Sequence, residues 1–316
     1  MDNEIRNLRG IVLRYEKGSM EDGDGMRTVI YMKGCPLHCW WCSTPESHRF
    51  EPEVAYAAVR CVGCQKCVME CPAKALSLND SHKVVRDKQK CTNCFRCVDA
   101  CPYSAQKVYG AEKTVQETID LIAQDEVLYF FTGGGVTFGG GECLGQADFV
   151  AEVMKGCRNR GINTCMETTV VYPWEEVEKV LPYVDVMYID LKVMDPALHR
   201  KFVGGSIERI QENIRRIDRS AYPVKLRIRV PTLSSVNGNE ENMKKVAEFC
   251  RELKKIEYIE LLPYHRLGMV KYEETGRTYQ LLDEKTPSAE EMSYLAECIV
   301  AQGTGIPVMV SGVKYE

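Results

Sequence analysis

Residues 34–42 read Gly34-Cys35-Pro36-Leu37-His38-Cys39-Trp40-Trp41-Cys42. Three cysteines stand at C-x3-C-x2-C spacing, with no fourth close behind. Three thiolates on a four-iron cube leave one iron open. An open metal position binds substrate, as in a catalytic zinc site, whereas a structural site is closed. The alternative is a three-cysteine zinc site completed by His38 or His48. Those histidines read more simply as loop residues.

Two further groups follow at once. Cys61-Val62-Gly63-Cys64-Gln65-Lys66-Cys67-Val68-Met69-Glu70-Cys71-Pro72 and Cys91-Thr92-Asn93-Cys94-Phe95-Arg96-Cys97-Val98-Asp99-Ala100-Cys101-Pro102 share the pattern C-x2-C-x2-C-x3-C-P. This is the run of bacterial two-cluster ferredoxins, in which the fourth cysteine ligates the other cluster. Cys61, Cys64, Cys67 and Cys101 are therefore expected to hold one cube. Cys91, Cys94, Cys97 and Cys71 are expected to hold the other. A zinc ribbon also uses C-x2-C pairs but does not need the doubled C-x3-C-P.

These groups take eleven of the 16 cysteines in a chain of 316 residues. Small secreted domains use dense cysteines as disulfides; a long chain without an export signal, in a reducing compartment, uses them as metal ligands. The polar stretch Met1–Gly10 does not read as a signal peptide. A cytoplasmic protein is expected. The net charge of −4 lacks the basic excess of a nucleic-acid binder. No apolar run reaches the roughly 18 residues that span a bilayer. Cys157, Cys165, Cys250 and Cys298 fall in helix or strand patterns and read as core residues.

C-x3-C-x2-C resembles the radical S-adenosylmethionine superfamily, and the surrounding motifs sharpen the resemblance. Asp22-Gly23-Asp24-Gly25-Met26-Arg27-Thr28 is similar to the D-G-P-G-x-R-T of the glycyl-radical-enzyme activating enzymes. Ser43-Thr44-Pro45-Glu46-Ser47 is similar to their N-P-E-S. Gly139-Gly140-Gly141-Glu142, Asp190-Leu191-Lys192 and Leu262-Pro263-Tyr264-His265-Arg266-Leu267-Gly268 follow in the family's order. The likeness runs from Ile11 to Tyr279, and the cysteine-rich insert marks the longer subgroup.

Beyond the insert, short β-rich runs alternate with amphipathic stretches. Strands are expected at Thr28–Lys33, Val136–Gly139, Asn163–Thr168, Val184–Asp190, Lys225–Val230 and Tyr258–Leu262, with a further edge strand in Pro307–Ser311. Helices are expected at Gln146–Arg160, Trp174–Leu181, Ile207–Arg219 and Glu240–Lys255. Such repetition implies parallel strands with right-handed crossovers. A partial (β/α)6 barrel fits, as the resemblance also implies; a doubly wound open sheet is the competing fold. The expected organisation is residues 1–58 and 109–316 as barrel, with 59–108 as a ferredoxin-like insert.

Active residues of parallel α/β folds sit at the C-terminal ends of strands, where these motifs fall. The resemblance implies that the Gly140-Gly141-Glu142 turn binds the methionyl amino group of S-adenosylmethionine and that Lys192 holds its carboxylate. His265 is implied at the ribose or adenosine. Trp41, Ser43, Asp190, Leu191 and Arg229 complete the implied cofactor set. Glu167 and Thr168, with Asp190, resemble a monovalent-cation site. Glycine turns also let a ligand approach the backbone closely.

Three departures from the family lie at the mouth. Cys143 stands where the family has proline, and reads as an inert turn residue. Glu167-Thr168-Thr169-Val170 lacks the glycine of E-T-x-G. Pro231–Asn237 lacks the usual P-G. The resemblance implies three 4Fe-4S clusters, S-adenosylmethionine as cosubstrate, a glycyl radical enzyme as protein partner, and a flavodoxin or ferredoxin as electron donor. The short tail after Gln280 is expected to leave no cap over a small substrate. The rivals are a radical enzyme acting on a small molecule and a ferredoxin-type electron carrier.

Overall fold

The computed structural model describes residues 3–316. Met1 and Asp2, at the head of the polar N-terminal stretch, lie outside the described residues. All six expected strands form, as Arg27–Met32, Gly135–Gly140, Asn163–Thr168, Val186–Asp190, Lys225–Thr232 and Ile256–Pro263. A seventh, Val308–Val310, continues the parallel series. Each pairs with the strand before it in this series, so the order never reverses. A doubly wound sheet would reverse in its middle. This sheet winds one way and curls into a partial barrel.

Antiparallel strands extend both edges of the ten-stranded sheet. Arg9–Ser19 and Ala111–Thr114 lie on one side, and Val313–Tyr315 on the other. The last position is therefore not Val308–Val310 but the hairpin strand after it.

Alternation separates the two faces of the sheet. Ile30, Phe138, Met166, Ile189, Ile228 and Leu261 enter the main core beneath the helices. Tyr31, Glu167, Asp190 and Arg229 stand on the opposite, concave face and line a cavity. The helices follow from capped apolar stripes. In Ile207–Arg219, the Ser206 side chain accepts from Arg209 N at 3.1 Å, and Ile207, Ile210, Ile214 and Ile217 make one buried stripe. The other expected helices are trimmed at their ends to Ala147–Arg158, Trp174–Val180 and Glu240–Arg251.

The insert repeats its backbone. Gly63 and Asn93, Gln65 and Phe95, and Lys74 and Ser104 all take left-handed φ, each pair thirty residues apart. The Ala75 and Ala105 N–H groups each donate to a cysteine sulfur, Cys71 and Cys101, at 3.3 Å. Its root is the antiparallel pair Glu53–Tyr56 with Gln106–Tyr109, which begins six residues ahead of the expected 59.

Candidate active site

A cavity of about 390 Å³ opens at the C-terminal ends of the parallel strands. Cys35, Cys39 and Cys42 line it, with Trp41, Ser43, Gly140, Gly141, Glu142, Glu167, Thr168, Asp190, Lys192, Arg229 and His265. Of the expected cofactor residues, Leu191 alone is absent from the lining. It packs in the core, and its N–H donates to the Arg229 carbonyl at 2.8 Å. Asp22, Tyr31, Thr44, Thr169 and Tyr264 also line the cavity. Four of these lie in motifs quoted above; only Tyr31 had no sequence signal beyond strand alternation.

The cysteine loop follows the first parallel strand and has no regular structure of its own. His38 N donates to Val203 O at 2.9 Å and Trp40 N to Phe202 O at 3.0 Å, docking the loop on the helix Pro196–Phe202. Gly140 and Gly141 bring the end of the second strand against the loop's start. A Cβ on Gly141 would lie 2.3 Å from the Gly34 carbonyl oxygen, and Gly140 has φ +101°. Here the glycines serve close backbone packing.

Glu142 is fully buried, and both its oxygens are engaged. It accepts from Thr168 Oγ1 at 2.5 Å, Thr169 Oγ1 at 2.6 Å and Thr169 N at 2.8 Å. Its carboxylate thus braces the ends of the second and third strands. Burial still raises its pKa above the ordinary carboxylate value. Burial also pushes Glu167 up to about 7, against the Arg229 guanidinium it contacts. Lys192 Nζ meets Asp190 Oδ2 at 2.5 Å. Burial alone would lower the Lys192 pKa, but the Asp190 carboxylate, together with the Cys39 and Cys42 sulfurs, outweighs it and the group is held protonated. The expected cation site at Glu167, Thr168 and Asp190 therefore meets side chains already engaged by Arg229, Glu142 and Lys192. His265 is exposed; its Nδ1 accepts from Leu267 N at 3.4 Å, leaving Nε2 as the donor.

Desolvation pushes the Cys39 thiol up to about 12 and raises Cys35 and Cys42 in the same direction. Three neutral thiols in one loop must release protons to take a metal cluster. They sit beside a protonated lysine and a cavity of cofactor size, so the residues fit an iron–sulfur cluster with a charged ligand alongside it. Cys143 faces away. It is fully buried, its sulfur lies 3.5 Å from Glu167 O, and burial raises its thiol well above the usual value. That is an inert cysteine.

In the insert, one small cavity is bordered by Cys61, Cys64, Cys67 and Cys101, and a second by Cys71, Cys91, Cys94 and Cys97. Each cavity is thus lined by three cysteines of one run and the fourth cysteine of the other.

Beneath the cysteine loop, His199 is 1% exposed, and neither ring nitrogen has a hydrogen-bond partner among the described residues. Burial pushes it down to about 4, and the nearby Gly205 backbone opposes this only in part. The folded chain keeps the ring neutral, while the unfolded chain protonates near the ordinary 6.5. Its contribution to stability is therefore present above pH 6.5 and is lost as pH falls toward 4. At pH 5.5 the loss is about 1.4 kcal/mol. Urea midpoints measured from pH 7.5 to 5.5 should fall less steeply in His199→Leu. An unchanged slope would show that His199 is not the titrating group.

Residues 93–253 match the model of the Radical SAM superfamily, and residues 60–105 that of the 4Fe-4S dicluster domain. The chain is 40% identical over 287 residues to the (2S)-3-sulfopropanediol sulfolyase activating enzyme of Bilophila wadsworthia, covering 90% of this chain and 94% of that one. It is 34% identical over 312 residues to the indoleacetate decarboxylase activating enzyme of Tractidigestivibacter scatoligenes, covering 96% and 98%. The chain belongs to the radical SAM activating enzymes of glycyl radical enzymes. A radical SAM methyltransferase from Sphaerobacter thermophilus shares the activating enzyme's fold, with a TM-score of 0.53 at 12% identity over 95% of this chain and 76% of that one. Among the described residues, no helix of the activating enzyme is long and apolar enough to cross a membrane.

Proposed function

We propose that this activating enzyme holds three 4Fe-4S clusters and that its target is a backbone glycine of a partner protein. The observation that carries the reading is the meeting of Cys35, Cys39 and Cys42 with Asp190, Lys192 and His265 around one cavity. Cys35, Cys39 and Cys42 hold the catalytic cluster. Cys61, Cys64, Cys67 and Cys101 hold a second, and Cys71, Cys91, Cys94 and Cys97 a third. When bound, the catalytic cluster supplies one electron to the sulfonium of S-adenosylmethionine, whose S–C5′ bond breaks to methionine and a 5′-deoxyadenosyl radical.

The chain's own part is binding, orientation and exclusion of water. Lys192 is a fixed cation for the methionyl carboxylate, and Asp190 keeps it charged. Glu142 braces the turn that faces the amino group. His265 offers Nε2 to the nucleoside. The 5′ carbon must lie within about 3–3.5 Å of the hydrogen it removes. A barrel open along its side admits an extended loop of a second protein. The electron donor is a flavodoxin or ferredoxin, and the thiol-rich insert suits a reducing cytoplasm.

Anaerobically reconstituted protein should hold about twelve irons, four for each of three cubes. Full activity with about four irons would remove the insert clusters from the reading. Reduced enzyme, S-adenosylmethionine and the partner protein should then give a doublet in the electron paramagnetic resonance spectrum. That doublet should collapse when the target glycine carries deuterium at Cα. Cofactor cleavage with no protein radical, alongside turnover of a small molecule, would replace the protein target by a small-molecule one.

A further inference from the structure

The helix Met269–Thr275 has seven residues, too few to be stable alone. No side chain caps its N-terminus, and only Tyr272 and Thr275 are buried. Polar tethers hold it, and they run in two directions.

One set reaches the cysteine loop. Tyr272 OH donates to the Cys42 carbonyl at 3.1 Å, and Lys271 Nζ to the Ser43 carbonyl at 3.2 Å. Gly268, just before the helix, packs so closely that a Cβ there would lie 2.9 Å from Ser43 backbone. The other set reaches the insert. Lys107 Nζ donates to Glu274 at 2.7 Å, and the Tyr109 hydroxyl donates to the same carboxylate. Lys88 Nζ donates to the Gly276 carbonyl at 2.5 Å, and Arg277 to Glu53 at 2.9 and 3.1 Å. The Glu274 side chain is 10% exposed, so its pairing with Lys107 is not a loose surface contact. Among the described residues, Glu274 is bonded to the insert alone and lies outside the cavity lining.

We propose that the insert fixes the position of Cys42 through this helix, and that Glu274 is a positioning residue for cofactor cleavage. The inference rests on the reading that Cys35, Cys39 and Cys42 hold the catalytic cluster. The insert then has a mechanical role that persists when it is not needed to deliver electrons. Without the Glu274 pairs, the short helix keeps only the Lys88–Gly276 and Arg277–Glu53 ties to the insert and the Lys271–Glu46 pair at 3.2 Å, and Tyr272 and Lys271 hold the carbonyls of Cys42 and Ser43 less firmly. Displacements of about 1 Å at a reacting centre cost on the order of a hundredfold in rate.

The test uses reconstituted full-length enzyme with dithionite, a small reductant that can reach the catalytic cluster directly. Glu274→Ala should keep the wild-type iron content. It should cleave S-adenosylmethionine at least about tenfold more slowly. It should also show an altered change in the catalytic cluster's resonance spectrum when the cofactor is added. Glu274→Gln, which keeps an acceptor for Tyr109, should recover part of the rate. Tyr272→Phe, which keeps the packing and removes the bond to Cys42, should reproduce the defect without touching the insert. Combined with Glu274→Ala it should be no worse than the poorer single variant, because both act through one element. Wild-type rate, KM and spectrum in Glu274→Ala would overturn the inference, as would full additivity in the double variant. Wild-type enzyme that fails to cleave the cofactor would refute the underlying reading instead.

Discussion

Replacing Cys39 with alanine is expected to abolish reductive cleavage of S-adenosylmethionine and leave the barrel folded. The loop is held by its backbone, through His38 N to Val203 O and Trp40 N to Phe202 O, and neither bond involves the thiol. Cys39 is partly buried, so losing one sulfur leaves little empty volume. The chemistry has no such reserve. Two thiolates in place of three do not secure a cube with one open iron. Quantifying 5′-deoxyadenosine under excess reductant, with circular dichroism as the folding control, reads the effect. The matched control is Cys143→Ala, since that thiol is buried, faces away from the cavity and is held protonated by burial. It should keep most of its cleavage rate. A Cys39→Ala protein that makes 5′-deoxyadenosine at the normal rate would place the catalytic cluster elsewhere.

The contrast between these two cysteines shows what spacing can and cannot report. Local chemistry was legible because it is written in short, contiguous runs. C-x3-C-x2-C and the doubled C-x2-C-x2-C-x3-C-P name their ligands without a fold, and the parallel strands follow from period and order. What the sequence hid is set by contacts distant along the chain. The 11-residue strand Arg9–Ser19 has a largely exposed second half, so it lacks the continuous apolar run of a buried parallel strand. The helices Val115–Ala123 and Ala289–Val300 were readable in principle. Both begin with capping boxes, Thr114 with Glu117 and Ser288 with Glu291. The function of Glu142 was half legible. Its motif placed it at the cofactor, but only the fold reveals that Thr168 and Thr169, a strand away, take its oxygens. Val170, fully buried with φ +51°, is a β-branched residue in the left-handed region where the family has glycine. Asn213 Nδ2 donates to its carbonyl at 2.7 Å and to that of Tyr172 at 2.8 Å, which pins the strained turn from a helix some forty residues away.

The motif Asp22–Thr28 carries the same lesson in its energetics, and it yields the largest stability effect expected in the barrel. Arg27 is fully buried, yet no carboxylate among the described residues lies within ion-pair distance of it. Its guanidinium is satisfied by neutral acceptors. Nε donates to Thr137 Oγ1 at 3.0 Å, one terminal nitrogen to Asn163 Oδ1 at 2.8 Å and Asp24 O at 3.3 Å, and the other to Val136 O at 2.5 Å. One side chain thereby joins the starts of the first three parallel strands. The loop it anchors reaches further: Thr137 Oγ1 donates to Asp22 O at 2.7 Å, and Asp24 pairs with Arg227 of the fifth strand at 2.7 Å. Truncation to alanine strands the buried acceptors Thr137 Oγ1 and Val136 O, leaves Asn163 Oδ1 and Asp24 O only part-buried, and opens a cavity where a long side chain lay. Each unmade bond of this kind costs about 1–3 kcal/mol, and partial collapse of the site brings the sum to roughly 3–5 kcal/mol. Against a total stability of about 5–15 kcal/mol, that is a fifth or more. Arg158→Ala provides the scale, because the Arg158–Asp185 pair is 40% and 31% exposed and such pairs are worth about 0–1 kcal/mol. In urea titrations followed by circular dichroism, Arg27→Ala should unfold at a far lower midpoint than wild type, and Arg158→Ala close to it. If Arg27→Ala fell within about 1 kcal/mol of wild type, the first three strands would be held by their ladders alone. The motif would then be read purely as a wall of the cofactor cavity, through Asp22.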